Sequence, residues 1–73
     1  MTVVLEFTGG PKDGGWKRVS SEDLHKGAIL VFVVNPGCGV YVSNGPYDGG
    51  ESHVGMSFEY DTEIPHLSQR INW

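Results

Sequence analysis

Ala28-Ile29-Leu30-Val31-Phe32-Val33-Val34-Asn35-Pro36-Gly37 is the stretch that decides the fold. It is apolar at every position up to Val34 and rich in β-branched side chains, which suit a pleated strand better than a helix. A strand with no polar face needs cover on both sides, so this run predicts the central strand of a sheet. One face then meets the core, and the other meets a second layer or another subunit. Asn35-Pro36-Gly37 ends it, because Pro36 has no ladder donor and Gly37 tolerates positive φ.

Outward from this run, the pattern alternates between short apolar segments and glycine clusters. The clusters are Gly9-Gly10-Pro11-Lys12-Asp13-Gly14-Gly15, Asn35-Pro36-Gly37-Cys38-Gly39 and Asn44-Gly45-Pro46-Tyr47-Asp48-Gly49-Gly50. In the first strand Val3, Leu5 and Phe7 point one way, with Val4 and Glu6 opposite. Period two of this kind marks a half-buried strand. Trp16-Lys17-Arg18-Val19 reads as a second strand with Trp16 and Arg18 on one face, and Asp13-Gly14 supports a hairpin between the two around a longer loop. Gly39-Val40-Tyr41-Val42-Ser43 predicts a fourth strand. Met56-Ser57-Phe58-Glu59-Tyr60 predicts a fifth, with Met56, Phe58 and Tyr60 inward.

The β pattern breaks at Ser20-Ser21-Glu22-Asp23-Leu24-His25-Lys26-Gly27. Ser20 can accept from the amide of Asp23, acids occupy the first turn, and Gly27 can close the end, so one short helix is expected near 20–26. Ile64, Leu67 and Ile71 have helical spacing after Pro65, which favours a helical turn near the C-terminus. The same tail can instead supply a short last strand pairing with the first. The whole is read as one all-β domain over 1–73: a five- to six-stranded antiparallel meander, curled into a small SH3-like barrel or a sandwich.

Phe7-Thr8-Gly9-Gly10-Pro11-Lys12-Asp13-Gly14 resembles the opening of short bacterial and phage proteins of unknown function, which begin with a strand and a Gly-Gly-Pro-x-Asp-Gly loop. The likeness covers roughly the first fifteen residues, with the later strands similar only in pattern. It implies a small β protein and carries no activity, ligand or site residue. Those proteins continue with a charged or polar strand after the glycine, whereas Gly15-Trp16 intervenes here.

Composition narrows the function classes. The chain has 73 residues and a net charge of −4, and its five lysines and arginines are scattered. A nucleic-acid binder usually carries a basic patch, so no nucleic-acid partner is expected. The 28–34 run is far short of the ~20 residues a membrane helix needs, so no membrane partner is expected either. Met1-Thr2-Val3-Val4-Leu5-Glu6 has no basic start and is not read as a signal peptide. Cys38 is the single cysteine. It forms no disulfide within the chain, which suits a reducing cytoplasm.

Candidate chemistry is spread thinly. The first glycine cluster has backbone amides that can cradle an anion or nucleotide, but Asp13 sits in its middle and no Gly-Lys-Ser/Thr ending follows, so a plain turn reads as well. Cys38 between two glycines lacks a neighbouring base and reads as a turn residue rather than a nucleophile. Asp48, Glu51 and His53 in one loop, with His25, His66 and Cys38 elsewhere, are the candidate donors for a metal-dependent hydrolase. Their spacing matches no standard zinc motif, and an exposed polar loop explains them equally. Glu59, Asp61 and Glu63 alternate along one strand face, the pattern of a solvated surface. No cofactor is expected.

The aromatic residues carry more. Trp16, Tyr41, Tyr47 and Trp73 are large side chains on a rigid scaffold, a composition common at binding surfaces. Trp16 and Trp73 also suit the open ends of a small barrel. Tyr47 stands beside Asp48 in a loop where turning does not require an aromatic. Tyr47, Asp48, Trp16 and Tyr41 are therefore the candidate binding residues. They predict a non-catalytic protein-binding or assembly module whose partner is another protein or a second copy of itself.

Overall fold

A computed structural model describes residues 1–35, 39–50, 52–60 and 63–71. Pro36, Gly37, Cys38, Glu51, Asp61 and Trp73, named above, lie outside the described residues. Six strands follow in order: β1 (Thr2–Thr8), β2 (Trp16–Ser20), β3 (Ile29–Asn35), β4 (Gly39–Pro46), β5 (His53–Glu59) and β6 (Ser68–Ile71). They form one sheet in the order β2-β1-β5-β4-β3-β6, curled into a half-barrel. Its concave side holds Val3, Leu5, Phe7, Leu30, Phe32, Tyr41, Met56 and Ile71. The rings of Phe7, Phe32, Tyr41 and Phe58 stack in a tilted series with centroids 4.8–5.1 Å apart, within the range such pairs favour.

The alternation of β1 is realised as expected, with Val3, Leu5 and Phe7 buried. The hairpin forms too. Gly14 N–H donates to Phe7 O at 3.0 Å, and the Asp13 carboxylate accepts from Gly9 N–H at 2.8 Å, which folds the glycine cluster back on itself. A 3-10 turn at Gly10–Lys12 fills the loop.

β4 explains the buried Ser43. Between Ile29↔Pro46 and Val31↔Val42 the chain takes four steps on β4 against two on β3, a bulge that leaves Leu30 N–H without a ladder acceptor. The Ser43 hydroxyl accepts that N–H at 2.9 Å and donates onward to Gly45 O at 2.9 Å. A buried amide is thus satisfied by a side chain where the ladder fails.

Several expectations need correction. The sheet is mixed, not an antiparallel meander: β1 pairs parallel with β5, and β3 pairs parallel with β6. β3 stands second from one edge rather than at the centre. The segment expected to be a short helix holds only a 3-10 turn, Ser21–Asp23, capped by Ser20 accepting from Glu22 N–H at 3.3 Å rather than from Asp23. The C-terminal segment is strand β6 and not a helical turn, and its partner is β3, not β1. Gln69 accounts for the difference. Its side chain accepts from His25 N–H at 2.6 Å and donates to Asp23 O, tying β6 to the turn that precedes β3. Tyr60 falls after β5 and is exposed, packing edge-on against Phe58 instead of pointing inward.

Cover for the outer side of β3 comes from within the chain at Val31. Leu30 and Phe32 belong to the concave core and Val31 points the other way by alternation, yet Val31 is fully buried. Ile29 and Val33, on the same side, are half-buried.

Candidate functional site

The outer side of β2, β1 and β5 carries the site. Register alone assembles it. Arg18 and His53 both pair with Val4, while Trp16 and Gly55 both pair with Glu6. Two rows therefore cross the three strands, Arg18–Val4–His53 and Trp16–Glu6–Gly55, with neighbouring strands ~4.8 Å apart. Phe7 N–H donates to Gly15 O at 3.0 Å and Gly14 adopts φ 78°, so the turn delivers Trp16 straight into the first position of β2.

Trp16 is 58% exposed. Arg18, two residues on and on the same face, sets its guanidinium 5.1 Å from the indole centroid, a cation–π contact that holds both side chains in place. Glu6 Oε1 lies 2.9 Å from His53 Nδ1, and both side chains are mostly exposed. Gly55 keeps the row bare beside Glu6, since a Cβ there would meet Asn44 Nδ2 at 3.0 Å. Val4, Glu6, Trp16, Arg18 and His53, together with the hairpin loop, bound a groove of about 560 Å³. It offers an indole plane, a guanidinium and a carboxylate in the open, chemistry suited to docking a partner surface.

The four aromatic and loop candidates separate. Tyr41 is fully buried, and its hydroxyl bridges the first loop by accepting from Lys12 N–H at 2.7 Å and donating to Gly9 O. Tyr47 is only 5% exposed and packs in the core, with its hydroxyl buried and unpartnered among the described residues. Its backbone closes a turn, with Gly27 N–H donating to Tyr47 O at 2.7 Å and Tyr47 N–H to Ala28 O at 2.9 Å. Asp48 is exposed and accepts from Gly50 N–H at 2.8 Å, a local turn. Trp16 alone of the four presents a large exposed aromatic surface.

The metal candidates do not converge. His53 sits with Glu6, Glu51 lies outside the described residues, and among the described residues no three His, Cys, Asp or Glu side chains gather. In the glycine loop, the amide of Gly9 is already taken by Asp13 and that of Lys12 by Tyr41, so these two do not line an anion cradle.

Sequence reasoning placed Trp16 and Arg18 on one face and turned Glu6 away from the core, both by period two. It missed their meeting with His53. That contact depends on the parallel β1–β5 pairing, for which no local signal exists. No protein-family model, curated protein or solved structure matches the chain.

Proposed function

We propose that the chain is a non-catalytic protein-binding or assembly module that meets its partner through the outer side of β2, β1 and β5. The observation that carries this reading is Trp16, 58% exposed on a hydrogen-bonded strand beside Arg18. Tryptophan and arginine dominate the energetics of protein interfaces, because each buries a large surface at little entropic cost once held in place. Here the strand and the cation–π contact supply that holding beforehand. The six-stranded half-barrel gives such a face a hydrogen-bonded support.

Another protein is favoured over a second copy as the partner. The case for self-association rests on cover for the outer side of β3, and at Val31, though not at half-buried Ile29 and Val33, that cover comes from its own chain. No described cluster favours the metal-dependent hydrolase alternative.

Affinity capture from cell extract with three versions of the protein tests the reading. Leu67, also exposed, lies just before β6 and outside β2, β1 and β5. Wild type and Leu67→Ala are expected to retain the same discrete partner, and Trp16→Ala to lose it. Equal retention by all three would contradict the proposal.

A further inference from the structure

Three pairs in the chain place a glycine directly after an aspartate or asparagine: Asp13-Gly14, Asn44-Gly45 and Asp48-Gly49. Such a pair can close into a cyclic imide. The glycine nitrogen attacks the side-chain carbon Cγ and gives up its proton, and water leaves from a protonated aspartate or ammonia from asparagine. A water molecule then opens the imide at either carbonyl. One opening restores aspartate, and the other leaves isoaspartate, in which the main chain runs through the side-chain carboxyl. Glycine favours the closure because no Cβ crowds the attacking nitrogen. On chemistry alone Asn44 reacts first, since an amide accepts a nucleophile more readily than a carboxylate does.

The fold reverses that order. Closure requires Cγ and the following nitrogen to approach in a near-attack geometry. Asn44 is turned away from it: its Oδ1 accepts from Ser57 Oγ on β5 at 3.1 Å, and its Nδ2 lies 3.0 Å from where a Cβ on Gly55 would stand. The carboxamide thus reaches sideways across the sheet, while Gly45 continues strand β4. Asp13 is restrained in another way. Its Oδ1 accepts from Gly9 N–H at 2.8 Å, back toward the start of the loop, and Gly14 N–H is donated to Phe7 O at 3.0 Å. At Asp48 the geometry favours closure. Its Oδ1 accepts from Gly50 N–H at 2.8 Å, a turn that folds the carboxyl back over the Asp48–Gly49 peptide, toward the Gly49 nitrogen. No backbone bond of Gly49 N–H occurs among the described residues. Gly49 adopts φ 90° and stands outside the strands, and residues 48–50 are exposed, so water reaches the ring.

We propose that Asp48-Gly49 is a site of backbone isomerisation, at which the folded protein converts Asp48 to isoaspartate. The change is neutral in mass and in charge, because the water lost on closure is regained on opening. What it alters is the backbone. A methylene enters the main chain directly after Tyr47, whose N–H donates to Ala28 O at 2.9 Å and whose C=O accepts from Gly27 N–H at 2.7 Å. The former main-chain carbonyl becomes an α-carboxylate on an exposed turn. Residues 48–50 lie outside β2, β1 and β5, so the site is independent of the proposed docking face.

The test ages the full chain at neutral pH, once folded and once in urea, and maps the products by mass spectrometry of peptides. An endoprotease that cuts before aspartate but not before isoaspartate scores Asp13 and Asp48, and a gain of mass marks deamidation at Asn44. In the folded chain isoaspartate at 48 is expected to lead, forming about tenfold faster than at 13 and ahead of any change at 44. In urea Asn44 is expected to lead, because the bond that turns its carboxamide toward Ser57 is gone. Two variants probe the turn itself. Gly50→Ala keeps the N–H that holds the Asp48 carboxyl, and a Cβ there meets nothing within 4 Å. Gly50→Pro removes that N–H. The proline variant is expected to form isoaspartate at 48 about threefold to tenfold more slowly than the alanine variant, the worth of one hydrogen bond. Asn44 leading in the folded chain as well, equal rates at 13 and 48, or equal rates in the two Gly50 variants would overturn the proposal. If the proline variant fails to fold, the wild-type comparison of folded and unfolded chain decides alone.

Discussion

Two buried tyrosines show how one hydroxyl can serve or burden a core. The Tyr41 hydroxyl satisfies Lys12 N–H and Gly9 C=O at once, whereas the Tyr47 hydroxyl meets no described partner. Removing a partner from a half-buried backbone group costs about 1–3 kcal/mol, while deleting an unpaired buried hydroxyl is nearly neutral or stabilising. Tyr41→Phe is expected to lower unfolding free energy by that amount in urea titrations, and Tyr47→Phe to leave it within about 1 kcal/mol of wild type or raise it. Trp16→Ala is expected to change it by less than about 0.5 kcal/mol, as for a surface residue held for contact rather than for the core. In the sequence all three aromatics look alike. Turn context says where an aromatic stands along the chain, but only the curvature of the sheet says which ends are inside.

At the scale of elements, the β1–β2 hairpin was legible because its signals are local: period two in β1, Asp13-Gly14 at the turn, and Trp16 and Arg18 on one face. Gly10 shows how tightly its loop is then packed. It adopts φ 64°, and a Cβ there would come within 2.4 Å of the Phe58 ring. Gly10→Ala is expected to destabilise the fold by about 1–3 kcal/mol, measured by urea titration, through strain and overpacking together. β6 was not legible. Four residues carry little periodicity, and the helical spacing of Ile64, Leu67 and Ile71 is the stronger local signal. What settles the strand is Gln69, whose amide reaches back to His25 N–H and Asp23 C=O. Gln69→Ala is expected to cost about 1–2 kcal/mol and to speed amide exchange in β6 before the rest of the sheet, a sequence of opening that exchange spectra resolve.

At the scale of the whole molecule, the two parallel pairings set both the strand order and the site, and neither has a sequence signal. β1 meets β5 across a separation spanning β2, β3 and β4. Alternation of apolar residues fixes which side of a strand is buried but not which strand lies beside it. The apolar 28–34 run forms a strand, as its composition predicts, yet its outer side is fully covered only at Val31 among the described residues and its place is near an edge. The consequence is an open half-barrel with β2 and β6 as end strands, and β2 presents both the Trp16–Arg18 pair and a backbone edge. That this edge is open is the central claim, and backbone hydrogen exchange of the free protein tests it most directly. Lys17 and Val19, bonded to β1, are expected to exchange slowly, while Trp16 and Arg18, which alternate with them, exchange at the rate of exposed amides. Equal protection of all four amides would show the edge already paired, and would contradict the account of β2 as an open edge strand.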